Sequence, residues 1–138
     1  MRLVSEDTLA VITIWMESRG EPWEGKLAVA EVIRNRMRQK YSSDGTVSGT
    51  VLRAFQFSGF NTQDPNRIPS FRIDGDDPVV QECEKAWRES EHTLEIRSSI
   101  TKGAVLYLNP TIVTQKPKWV DLSVEVARVG PHVFYKPL

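Results

Sequence analysis

Residues 15–37 read WMESRGEPWEGKLAVAEVIRNRM. An apolar helical pattern arrives from the N-terminal side, breaks at Gly20 and Pro22, and restarts as a longer one. In the second pattern Leu27, Ala28, Ala30, Val32, Ile33 and Met37 leave little of the circumference polar, as in a central helix. Glu17 closes the first pattern. The last turn of a helix is where the dipole least favours a carboxylate, and burial among apolar neighbours would raise its pKa further. Such a glutamate is either a surface residue paired with Arg19 or a group whose held proton is of use.

The flanks complete a mainly helical chain. Ser5 is a candidate N-cap, with Glu6 and Asp7 in the first turn, and Leu9, Val11, Ile12, Trp15 and Met16 form an apolar stripe. A third, shorter helix fits Ser48 to Ala54, with Val51, Leu52 and Phe55 inward. Residues 56–76 are rich in Gly, Pro, Asn and Asp and read as a long ordered loop. Asp77 caps a fourth helix with Pro78 at its first position; Val79, Val80, Cys83, Ala86 and Trp87 form its stripe. "AVLYL" (104–108) is a short strand or a helical turn, ended by Asn109-Pro110. "RVGPHVFY" (128–135) reads as a final strand or extended segment. The expected class is mainly α (α+β), with a minor extended part and one domain over residues 1–138.

Composition narrows the function. The 138 residues carry 18 Lys+Arg and 18 Asp+Glu, a formal net charge of zero. A nucleic-acid partner normally leaves a basic excess, so none is expected, although Arg34, Arg36, Arg38 and Lys40 form a local basic run. Cys83 is the lone cysteine, so no intrachain disulfide forms. His92 and His132 have no metal-ligand spacing, and no metal or cofactor is expected. Glu6 and Asp7 interrupt any signal-peptide core, and the apolar run after them is too short to span a membrane. The expectation is a monomer made in the cytoplasm, without an export signal or stable membrane insertion, that acts elsewhere after release.

Several residues have both a chemical and a plainer reading. Glu17 suits a general acid, because a glutamate in an apolar setting holds a proton near neutral pH. Trp15, Met16 and Trp23 would wall it, and Glu21 and Glu24 would push a proton onto one member by like charge. "AFQFSGFNT" (54–62) is a core-anchored loop or a sugar-binding wall, with Phe57 and Phe60 for pyranose faces and Gln56, Ser58 and Asn61 for substituents. "GAVLYLNP" (103–110) is an edge strand, or it puts the Tyr107 hydroxyl and Asn109 amide in a cleft. Trp119, with Lys116 and Lys118, lines a groove or covers the core. A lone histidine such as His132 is more often structural than catalytic, and Cys83 belongs to a helix stripe.

The order of these segments carries a resemblance. "ESRGEPWEGKLAVAEVIRNR", "QFSGFN", "GAVLYLNP", "KW" and "VGPHVFY" together resemble the cell-wall hydrolase family of the spore cortex-lytic enzymes, which includes phage lysis proteins. The resemblance spans roughly residues 9–135. It implies a lysozyme-like fold related to lytic transglycosylases, peptidoglycan glycan strands as the partner, and Glu17 as catalytic acid/base. Glu17-Ser18 and Tyr107 with Asn109 look like the Glu-Ser and Tyr-Asn elements of the wider transglycosylases. Glu21, Gln56, Phe57, Ser58, Tyr107, Asn109 and Trp119 become candidate substrate contacts, with Glu21 also tuning the site. Where the family usually has Gly and Ala around the acid, this chain has Met16 and Ser18; before Tyr107, often preceded by an aromatic or His, it has Leu106.

The implied reaction cleaves the bond between N-acetylmuramic acid and N-acetylglucosamine and leaves a 1,6-anhydro ring. The lack of an export signal and of a wall-binding repeat leans toward a phage or prophage endolysin. A hydrolytic muramidase on the same fold stays open; it would need a second carboxylate from among Glu21, Asp64 and Asp74. A catalytically silent glycan-binding module also stays open, as does, more remotely, a DNA-binding protein using the run at 34–40.

Overall fold

The computed structural model describes residues 5–53, 74–95 and 97–138. Helix α1 runs Glu6–Ser18, α2 Trp23–Gln39, α3 Ser48–Val51 and α4 Pro78–Glu95. A three-stranded antiparallel sheet of β1 (Leu106–Leu108), β2 (Ser123–Val129) and β3 (His132–Pro137) follows, in the order β1-β3-β2. A 3-10 turn, Lys118–Leu122, leads into β2.

Local chemistry sets the helix starts. The Ser5 hydroxyl accepts from Thr8 N at 3.1 Å, ahead of Glu6 and Asp7 in the first turn. Asp77 does the same for α4, accepting from Val79 N at 2.7 Å with Pro78 at the first helical position. The buried face of α1, however, is Ala10, Thr13, Ile14, Met16 and Ser18. Leu9, Val11 and Trp15 pack against the core from its edge. An apolar stripe this wide does not specify which third of the helix turns inward; packing against α2 and α4 does. Glu17, three residues after Ile14, falls at the margin of that face and is half-buried.

Helix α2 is the axle. Every residue from Lys26 to Ile33 is buried, because three bodies surround the helix. Val29, Ala30 and Ile33 join Ala10 and Ile14 of α1 and Cys83, Ala86 and Trp87 of α4 in the main core. Ala28 and Val32 face the sheet through Ala104 and Phe134. The third body is the polar segment 99–105, held by Glu31, Asn35, Arg36 and Gln39 at one- and two-turn spacing.

Three expectations need correcting. The third helix ends at Val51, and Leu52 is 50% exposed; Phe55 lies outside the described residues. Val79 is on the open side of α4, since the inward stripe is Val80, Cys83, Ala86, Trp87 and Ser90. The C-terminal segment is a hairpin, Val129 pairing with His132. Gly130 adopts φ +55 in the turn, a conformation that suits glycine. Strand β2 escaped the sequence reading because "SVEVARV" exposes most of one face and carries a bulge between Glu125 and Ala127, which blurs the period of two.

Candidate active site

The end of α1 meets the start of the sheet at Glu17. Its Oε1 accepts a hydrogen bond from the Tyr107 hydroxyl at 3.1 Å. Tyr107 stands on β1 opposite Phe134 of β3, and the two rings lie 5.4 Å apart. The ring of His132, two residues earlier on the same face of β3, stands nearly perpendicular to the Tyr107 ring with centroids 5.5 Å apart. Burial pushes the Tyr107 phenol well above its ordinary range, and the Glu17 carboxylate beside it adds to the rise. The hydroxyl is therefore a proton donor at any pH near neutral.

Glu21 extends the arrangement. Its Oε1 is 4.0 Å from His132 Nδ1. A Cβ at Gly25 would come within 2.7 Å of the Glu21 Cβ, so the glycine makes room for that side chain. Beyond Glu21 opens a groove of about 450 Å³, lined by Pro22, Glu24, Ile100, Val129 and Gly130 among others. Glu17, Tyr107, His132 and Glu21 thus form a continuous row from the end of α1 to the β2–β3 turn.

The other candidates fall elsewhere or are otherwise engaged. The Asn109 side-chain oxygen accepts from Thr111 N at 3.0 Å and from its hydroxyl at 2.6 Å, closing the turn after β1. Trp119 packs on Tyr135 at 5.3 Å. Tyr135 alternates with Phe134 along β3 and so leaves the opposite face from Tyr107, grouping Trp119 away from Glu17. Lys116 pairs with Asp121. The Ser18 hydroxyl donates to Ile14 O at 2.6 Å within its own helix. Trp15 and Trp23 pack at the rim of the main core, under the cations of Arg19 and Lys85. Asp74 caps a turn before α4 through Asp76 N. Gln56, Phe57, Ser58, Phe60, Asn61 and Asp64 lie outside the described residues.

The basic run 34–40 is not a surface patch. Arg36 is 4% exposed. Arg34 stacks on Trp87 at 3.6 Å and donates to Ser90 Oγ and Trp87 O. Arg34 and Arg38, one turn apart, share a side of α2 while Arg36 is buried on another, so the run presents no continuous basic face and counts against the recognition-helix reading. No helix among the described residues is long and apolar enough to cross a membrane.

Sequence reasoning missed Glu31. This fully buried carboxylate accepts from the hydroxyls of Thr93, Ser99 and Thr101 and from the amides of Ile100 and Thr101, at 2.6–3.4 Å. It fastens the segment that feeds β1 and hence Tyr107. A glutamate inside "AVAEVI", flanked on both sides by apolar residues, was the available signal.

Comparison with known proteins places the chain in a family and matches its fold. A family model described as Cell Wall Hydrolase matches residues 20–135; the match opens just after Glu17. The spore cortex-lytic enzyme of Bacillus cereus is 29% identical over 123 residues, 89% of this chain and 41% of that protein. The enzyme of the same name from Oceanobacillus iheyensis is also 29% identical, over 89% of this chain and 38% of its own length. The chain thus spans less than half the length of these curated relatives. Among solved structures, the catalytic domain of the germination-specific lytic transglycosylase SleB from Bacillus anthracis superposes with a TM-score of 0.70 at 26% identity, covering 97% of each chain. The catalytic domain of Bacillus cereus SleB gives 0.70 at 27% identity, over 95% of this chain and 89% of that one.

Proposed function

Because the chain belongs to the cell wall hydrolase family, we propose that it is a peptidoglycan-degrading glycosidase, a lytic transglycosylase with Glu17 as its acid/base. The observation that carries this is the hydrogen bond from Tyr107 to Glu17 where α1 meets the sheet. The likeness to the catalytic domain of a lytic transglycosylase supports it, as does a lysozyme-like fold, mainly helical with a small sheet.

Glu17 protonates the oxygen between N-acetylmuramic acid and N-acetylglucosamine, and the glycosidic bond breaks. The muramic C6 hydroxyl attacks the anomeric carbon and closes a 1,6-anhydro ring; its proton returns to Glu17. One carboxylate serves both steps because the nucleophile belongs to the substrate. Tyr107 steadies the carboxylate in between by donating to it.

The test is the mass of the soluble product from purified peptidoglycan. An anhydro muramic end that resists borohydride supports the proposal. Products one water heavier, all reducible, would make the enzyme a hydrolase and turn attention to Glu21 as the second carboxylate. Glu17→Gln should lower the rate on the order of 10²–10⁴-fold while binding to sacculi persists. The endolysin role is part of the same proposal: delivered across the inner membrane, the wild-type chain should clear cells and Glu17→Gln should not.

A further inference from the structure

We infer that Arg36 is a positioning residue for this reaction: its buried guanidinium, tied to the segment that carries Tyr107, is the fixed positive charge beside which Glu17 releases and recovers its proton. The inference rests on the reading of Glu17 as acid/base.

Arg36 sits on the central helix and is 4% exposed. Its Nε donates to Val105 O at 2.6 Å, two residues before Tyr107. Its neighbour Asn35 donates to Ala104 O at 2.9 Å. The start of β1 is therefore anchored to α2 at the cation itself, and Tyr107 carries the connection on to Glu17. A buried cation is costly unless anions and acceptors compensate it. Burial does pull Arg36 below its ordinary range, while Tyr107, Tyr41 and Glu17 oppose that. The other ionisable groups at this corner differ in kind. Arg19 of α1 is exposed and stacked on Trp15. His132 of β3 faces Glu21 and stands nearly perpendicular to the Tyr107 ring. Arg36 combines a permanent charge with burial and a rigid tether.

The chemical consequence falls on the first step. When Glu17 gives its proton to the glycosidic oxygen, a carboxylate is left in a half-buried corner. A preorganised cation stabilises that anion and makes the proton easier to deliver. Too basic a Glu17 would hold its proton against the leaving oxygen.

The experiment follows kcat/KM on purified peptidoglycan across a wide pH range, with folding checked by circular dichroism. The alkaline limb of the profile reports loss of the proton from the acid. Arg36→Gln keeps a donor for Val105 and loses the charge, so the limb should move up by about one pH unit or more, as removal of a nearby opposite charge does. Arg36→Lys keeps the charge and should leave the limb in place. An Arg36→Gln enzyme that is slower at every pH with an unmoved limb overturns the inference. If Arg36→Gln does not fold, Arg36→Lys decides: a limb in place supports the inference, and a limb moved up with the charge retained overturns it. An active Glu17→Gln would instead sink the acid/base reading itself.

Discussion

At the scale of single residues, the proposed role of Tyr107 depends on its hydroxyl more than on its aromatic ring. Tyr107→Phe keeps the ring that packs on Phe134 and His132 and deletes the donor to Glu17. A hydrogen bond to a charged group contributes about 1.5–3 kcal/mol. Turnover should fall about tenfold or more, with little change in the thermal midpoint. Equal losses in both would make Tyr107 a structural tyrosine. Sequence placed Glu17 in the last turn of α1 and Tyr107 after an apolar run, both from local pattern. The bond between them was invisible because it joins positions 90 residues apart.

At the scale of elements, α2 organises the site by holding what precedes β1. Glu31 satisfies five donors, so truncation leaves them unsatisfied in the interior. Each such group costs about 1–3 kcal/mol, and Glu31→Ala should lose on the order of 3 kcal/mol or more in a urea melt. A loss under about 1 kcal/mol would mean that the segment 99–105 is held by Asn35, Arg36 and Gln39 alone. The helical spacing of these four residues was legible in the sequence. Their common target was not, because nothing local to α2 identifies a partner 64–70 residues on.

At the scale of the whole molecule, Cys83 reports how tightly the core closes. It is fully buried among α1, α2 and α4, and burial pushes its thiol up to about 12. At mildly alkaline pH the folded protein should resist alkylation over hours and react at once in denaturant, because the thiolate is the reactive form. Fast labelling without denaturant would show that α4 separates from the core on its own. Sequence alone determined the helical class, the caps at Ser5 and Asp77, the central place of α2 and the family. Each rests on periodicity, capping chemistry or motif order within a short span. Tertiary structure decided the rest: which face of α1 turns inward, the β2–β3 hairpin, the burial of Arg36 within the basic run and the joining of Glu17 to Tyr107. These depend on where distant segments come to lie. A wide apolar helix has several near-equal ways to face, and only the bodies packed around it choose among them.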